Sequence, residues 1–290
     1  MMRGFNIFRE KKIIQFKSKC IIVSHSHRLN KEAFSLLMSG NSPFIVSDVK
    51  EKSFLLAVTN KSSNCTDIKH FIALSHFSIS TFIMALNIAC LGYFTWDWYG
   101  FSVPKYEVCN PIAEKKILTF PLQMEHRKEY FEGSIKEITE KEIRNACKYY
   151  GVLAKEEIIS TIREEYIKGI LHLSLTFFNI DFYKEAFYNF YRCFENTVTN
   201  KVLQVKKLDK EVKDIEKAIN KVGLGEILSK QFKSSYFIRS NQVMHAQKKQ
   251  VNITMDDVYA IKICLDALLF KVFTPILEKT LKRYRGLKDE

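Results

Sequence analysis

The chain is poor in the residues that break regular structure, with 10 glycines and 5 prolines in 290 positions. Scarcity at that level excludes collagen-like and low-complexity chains, which need far more of both, and favours a helix-rich globular protein. No C-x-x-C pair occurs among the seven cysteines at 20, 65, 90, 109, 147, 193 and 264. Their odd number and wide spacing argue against a disulfide framework or a zinc site, and point to reduced thiols in a cytoplasm. A glycine-rich phosphate loop is also missing, which excludes P-loop nucleotide hydrolysis. No signal peptide is expected, because "MMRGFNIFREKK" turns charged before an apolar core develops.

Negative charge is in the minority. Lysine and arginine number 45 against 32 acidic residues, a net charge of +13 that draws polyanions such as nucleic acid toward the surface. Long apolar runs are limited to one, "FIALSHFSISTFIMALNIACLGYF" (Phe71 to Phe94), which carries no charged residue and is long enough to span a bilayer. Six polar residues within it, among them Ser75, His76 and Asn87, lower its hydrophobicity, so a buried core helix is expected rather than a membrane span.

Two regions differ in periodicity. Up to about residue 150, short β-branched runs ("KKIIQFKSKCIIVS", "SPFIVSDV", "KSFLLAVTN", "KKILTFPLQ") alternate with turn-rich segments. A short helix is expected from Asn30 to Gly40, and "WDWYGFSVPKYEVCNP" reads as a loop. From Thr139 onward the period is helical throughout. Thr139 and Glu142 form a capping-box signature, Asp181 suits an N-cap, Gly223 closes a charged helix, and Thr254 opens the last one, which Pro275 is expected to interrupt. The expectation is an α+β domain over 1–150 followed by an all-α helical bundle over 151–290, mainly α overall. In the charged helix, Val212, Ile215, Ile219 and Val222 make an amphipathic stripe suited to core packing.

Near the C-terminus, "YFIRSNQVMHAQ" places Arg239, Ser240, Asn241 and His245 on one helix. An imidazole titrating near neutrality can move protons, and a guanidinium presents a fork of donors to phosphate oxygens. Residues six apart on a helix are turned by about 240°, so Arg239 and His245 do not share a face, whereas Asn241 and His245 do. Either the helix frays or ends near His245, or the arginine reaches round, or a second subunit completes the site across a two-fold axis, the last being the favoured expectation. Lys248 and Lys249, beside the motif, and Lys233, earlier on the same helix, are candidate contacts to a nucleic-acid backbone. Residues 201–290 hold 19 Lys plus Arg against 11 Asp plus Glu.

This half of the chain resembles the HEPN superfamily of helical bundles. The resemblance rests on Arg239 followed by His245 with five residues between, on an aromatic-rich upstream helix carrying Glu195 ("FYNFYRCFENTV"), and on a downstream amphipathic helix opening "TMDDVYAI". It covers roughly 155–285. Ser240 departs from the pattern, since the family more often has Asn or Asp after the arginine. The resemblance implies a metal-independent endoribonuclease that needs no cofactor, acts on RNA such as tRNA, pairs as a homodimer through the bundle, and serves as a toxin or antiviral defence factor. Such a factor is controlled by an antitoxin or trigger protein. Arg239 and His245 would be catalytic, Ser240 and Asn241 would assist, and Glu195 would support Arg239. The alternatives from other classes are a non-catalytic RNA-binding or dimerisation module, and a membrane-associated sensor inserted through Phe71 to Phe94.

Two further features have simpler readings. His25 and His27, two apart in "VSHSHR", read as a surface turn rather than a metal site, and Trp96, Trp98 and Tyr99 as a packed aromatic corner rather than a base-stacking surface.

Overall fold

The computed structural model describes residues 15–38, 44–61, 68–96, 105–110, 115–119, 136–155, 159–175, 182–244 and 252–286. The chain divides into two units, 1–86 with 92–145 and 87–91 with 146–290.

The first unit is built on a six-stranded antiparallel sheet. Its central strand, β1 (Gln15–Ser24), is followed by the short β2 (His27–Arg28) and by a 3₁₀ turn (Glu32–Phe34) that runs into α1 (Ser35–Met38). The helical turn starts where expected, because the Asn30 side-chain oxygen accepts from the Ala33 amide at 2.8 Å. Strands β3 (Phe44–Ser47) and β4 (Ser53–Lys61) complete one side of the sheet, in the order β3-β4-β1.

The apolar helix α2 (Ile68–Cys90) stops short of the expected end at Phe94; β5 (Phe94–Trp96) follows it, and the segment expected to be a loop supplies β6 (Lys105–Asn110). Both pair with the same edge of β1: β5 opposite 22–24 and β6 opposite 15–19. The loop expectation is corrected here, because distant pairing with β1 decides the state of a segment with weak local preference. Strand β7 (Lys115–Thr119) pairs with β6, and β8 (Lys136–Glu137) lies parallel to β2. The sheet buries Phe44, Val46, Phe54, Leu56 and Val58. Phe34 packs on Phe54 with ring centroids 4.7 Å apart, and Phe82 of α2 packs on Phe44 at 4.5 Å.

Over Ala73–Cys90, α2 is long and apolar enough to cross a membrane, and most of that window is buried within the protein. Burial of that extent matches the expected core helix. His25 and His27 are also buried, which corrects the surface-turn reading. Hydroxyls and rings make the burial tolerable: His25 Nε2 meets Thr95 Oγ1 at 2.9 Å and its ring stacks on Tyr93, while His27 Nδ1 meets Ser26 Oγ at 2.8 Å and its ring stacks on Phe94. Trp96 sits in β5 opposite Ile22; Trp98 and Tyr99 lie outside the described residues.

The capping box at Thr139 is present in full. Glu142 accepts from the Thr139 amide and hydroxyl at 2.9 and 2.8 Å, the Glu142 amide returns to Thr139 Oγ1 at 3.3 Å, and Lys136 pairs with the same carboxylate. Burial pulls the Glu142 carboxyl upward, but Lys136 and Thr139 outweigh it and hold the group below its ordinary range. This box opens α3 (Glu140–Leu153), in which the division between the units falls.

The second unit is all α. It continues through α4 (Ile159–Leu175), α5 (Tyr183–Thr197) with a π-helical extension (Val198–Leu203), α6 (Glu211–Val222), α7 (Glu226–Met244) and α8 (Met255–Gly286). Phe187, Phe190 and Phe194 of α5 form the centre of the core with Ile162, Ile170, Ile215, Phe232, Ile261 and Leu265. Phe194 stacks on Phe232 at 4.1 Å.

Close approach of α4 to α5 needs Gly169, because a Cβ there would sit 2.6 Å from the Phe190 ring. The expected stripe on α6 is found, with Ile215 and Ile219 fully buried and Val212 and Val222 partly so. Gly223 closes α6 at φ +68°, and Thr254 caps α8 through Asp257. Asp181 lies outside the described residues.

Pro275 does not interrupt α8, contrary to expectation. The Thr274 hydroxyl donates to the Phe270 carbonyl at 2.6 Å and meets the Tyr149 hydroxyl at 2.7 Å, ties that hold the helix across the missing amide.

Candidate functional site

Arg239 lies on the inward side of α7, one turn beyond the buried Ser235 and two beyond the buried Phe232. That placement turns the guanidinium toward α5 and α6. Its Nη1 is 3.4 Å from Oε2 of Glu211, the first residue of α6, with both side chains about a third exposed, 30% and 31%. The guanidinium carbon lies 5.6 Å from the centre of the Tyr191 ring, within the range of a cation–π contact. Arg239 is thus held between an acid and an aromatic face and remains partly open to water.

Glu195, on the same α5 helix as Tyr191, is half-buried. Burial pushes its carboxyl upward and nearby Glu211 adds to this, while Arg239 and Arg192 pull it down. Burial likewise raises the Tyr191 hydroxyl, with Glu195 in the same direction and Arg239 opposing it. Two carboxylates therefore share the field of Arg239, and Glu211 makes the direct contact. This is a richer setting than a single Glu195–Arg239 support.

Ser240 follows Arg239 on α7 and is half-buried. Asn241 lies in the same helix. His245, Lys248 and Lys249 lie outside the described residues. Lys233, the remaining candidate for a nucleic-acid contact, forms an ion pair with Glu216 of α6.

Residues that the motif did not supply are Glu211 and Tyr191. A signal for Glu211 exists in the sequence: it stands four residues before Ile215, in line with the buried stripe of α6, so a carboxylate at that position faces the bundle. Tyr191 belongs to the aromatic run of α5, but nothing local distinguishes it from Tyr188 or Phe187 as the ring beneath the arginine.

The bundle contains a second cation–carboxylate pair. Lys262 Nζ is 2.7 Å from Asp266 Oδ2, one turn apart on α8, with the side chains 1% and 0% exposed. Asp266 also accepts from the Tyr166 hydroxyl at 2.7 Å, and Lys262 lies 6.0 Å from the centre of the Tyr166 ring. Burial pushes the Lys262 amine down and the Asp266 carboxyl up, while their mutual attraction resists both shifts.

Among the described residues no group of three or more histidine, cysteine, aspartate or glutamate side chains could hold a metal ion. Cys20, Cys90, Cys147, Cys193 and Cys264 are free thiols, and all but Cys147 are buried. No family model, curated protein or solved structure matches the chain.

Proposed function

We propose that the second unit is a metal-independent endoribonuclease of the HEPN type, using Arg239 and His245 on RNA. The observation that carries the reading is the state of Arg239: an inward arginine, cradled by Tyr191 and Glu211 beside Glu195, yet about a third exposed. Open, it can present donors to a phosphate.

In the proposed reaction the RNA 2′-hydroxyl attacks the adjacent phosphorus. The P–O5′ bond breaks, a 2′,3′-cyclic phosphate forms, and the departing 5′ oxygen takes up a proton. His245 transfers protons, and Arg239 stabilises the charge that builds on the phosphorane oxygens. Ser240 and Asn241 orient these groups, and Glu195 tunes the arginine. A homodimer through the bundle brings a second motif to the same cleft. In this reading the protein is cytoplasmic, takes no metal or cofactor, and is a toxin or antiviral factor whose first unit senses a trigger or receives a neutralising protein.

The test is incubation of the purified protein with labelled tRNA and total RNA in EDTA, with products analysed for cyclic phosphate ends. Cleavage that disappears in Arg239→Ala and His245→Ala supports the enzyme. The Arg239–Glu211 ion pair favours a second reading, a non-catalytic RNA-binding or dimerisation module with a structural arginine, and RNA binding without cleavage would select it.

A further inference from the structure

The connection between the π-helical extension and α6, residues 204–210, reads "QVKKLDK". It delivers Glu211 to Arg239, so its last residue is adjacent in sequence to the acid that touches the candidate site. Lys206, Lys207 and Lys210 are exposed, as is Lys213 in the first turn of α6. Among the described residues none of these four lysines forms an ion pair.

Two of the three acids in the same stretch have partners. Glu211 is on Arg239, and Asp214 Oδ2 accepts from the backbone amides of Asp209 and Lys210, both at 3.0 Å. Lys221 is also taken, its amine donating to the Val202 carbonyl at 2.7 Å. Sequence alone shows five lysines against three acids over 201–214. Glu211 and Asp214 are both engaged and only partly exposed, whereas four of the five lysines are exposed. The exposed lysines outnumber the acids along the connection that ends at Glu211, the residue in contact with Arg239.

We propose that Lys206, Lys207 and Lys210 form the track on which the phosphate backbone of single-stranded RNA is held next to Arg239. Lysine serves there as a sequence-independent point charge that releases condensed counterions. Rotation about long side chains lets it follow a flexible strand. This inference rests on the RNA reading above and adds the surface that binds the strand.

The test compares two charge-matched variants of the full-length protein, Lys206→Ala/Lys207→Ala and Lys184→Ala/Lys271→Ala. Lys184 stands in the first turn of α5, about 30 Å along the helical rise from Gln204. Fluorescence anisotropy with a labelled 20-nucleotide RNA is followed across a salt series. The expected result is roughly 10-fold weaker binding for Lys206→Ala/Lys207→Ala, with the slope of log K against log salt flattened by about 1.4, the value for two lost single-strand phosphate contacts. The control pair is expected to bind as the parent does. Equal losses in the two variants overturn the track. So does a defect of Lys206→Ala/Lys207→Ala confined to phosphatidylserine vesicles, which would mark these lysines as a membrane contact. If the parent binds RNA through these lysines but never cuts it, the track stands and the nuclease reading fails; cutting with unchanged binding in Lys206→Ala/Lys207→Ala reverses that outcome.

Discussion

Two cation–carboxylate pairs in one helical bundle, each set against a tyrosine, have been built to different ends. Lys262 and Asp266 are sealed, 2.7 Å apart and almost without exposure, and the Tyr166 hydroxyl completes the carboxylate. Arg239 and Glu211 are 3.4 Å apart, each about a third exposed, with Tyr191 offering a ring face. In the sealed pair the local low dielectric penalises loss of either partner, because the survivor is a stranded charge. In the open pair water covers such a loss, and the interaction is weak enough for a competing anion to displace it. The contrast separates a pair closed to water from one that water reaches.

Breaking the sealed pair should give the largest effect. Asp266→Ala leaves Lys262 buried without its partner and is expected to cost about 3–5 kcal/mol, measured by urea unfolding. The double replacement Lys262→Met/Asp266→Leu should recover most of that loss, because an apolar pair of similar size avoids the desolvation of both charges. Arg239→Ala is expected to cost no more than about 1 kcal/mol. If it proves as damaging as Asp266→Ala, the distinction between the pairs is lost, and the catalytic reading with it.

A packing change without charge sets the scale between them. Gly169→Ala drives a methyl into the Phe190 ring and should destabilise the bundle by about 1–3 kcal/mol, again read by urea midpoint. Next in size is Glu211→Gln. Removal of the competing charge should leave stability within about 1 kcal/mol of the parent and tighten RNA binding several-fold, the opposite sign to Arg239→Ala in the same anisotropy assay.

The smallest effect is expected at His172. Burial pushes its imidazole below the ordinary value, with Asn189 meeting Nδ1 at 2.9 Å. A group whose folded value lies below its unfolded one favours the native state when neutral, so this contribution is present above about pH 6.5 and is lost as the pH falls through the folded value. Stability of the parent should therefore decline more steeply between pH 7 and pH 5 than that of His172→Gln, measured by thermal unfolding.

Local signals in the sequence were reliable where the physics is local. Thr139 and Glu142 sit three residues apart and satisfy each other within one turn, as do Thr254 and Asp257, and Gly223 adopts the left-handed conformation that its position suggests. The apolar stripe of α6 was legible for the same reason. Features that depend on distant partners were not. Strands β5 and β6 take their state from β1, 70 or more residues earlier, and the burial of His25 depends on Thr95 and Tyr93. Pro275 belongs to the same class, since the ties around Thr274 include Tyr149 from another helix. Of the candidate site, Arg239 was legible as a type of residue in a motif, whereas its engagement with Glu211 and Tyr191 follows from how three helices meet.

Strand β1 has a consequence for biosynthesis. One of its edges is met by β4 within the next 40 residues, but the other waits for β5 and β6, the second of which ends at Asn110. At a ribosomal rate of about 5–20 residues per second, the nascent chain carries an unpaired edge for roughly 2–10 seconds after β4 has been made. During that interval the first unit is open to pairing with a neighbouring nascent chain, and its yield in cells should depend on chaperone supply more than its final stability suggests.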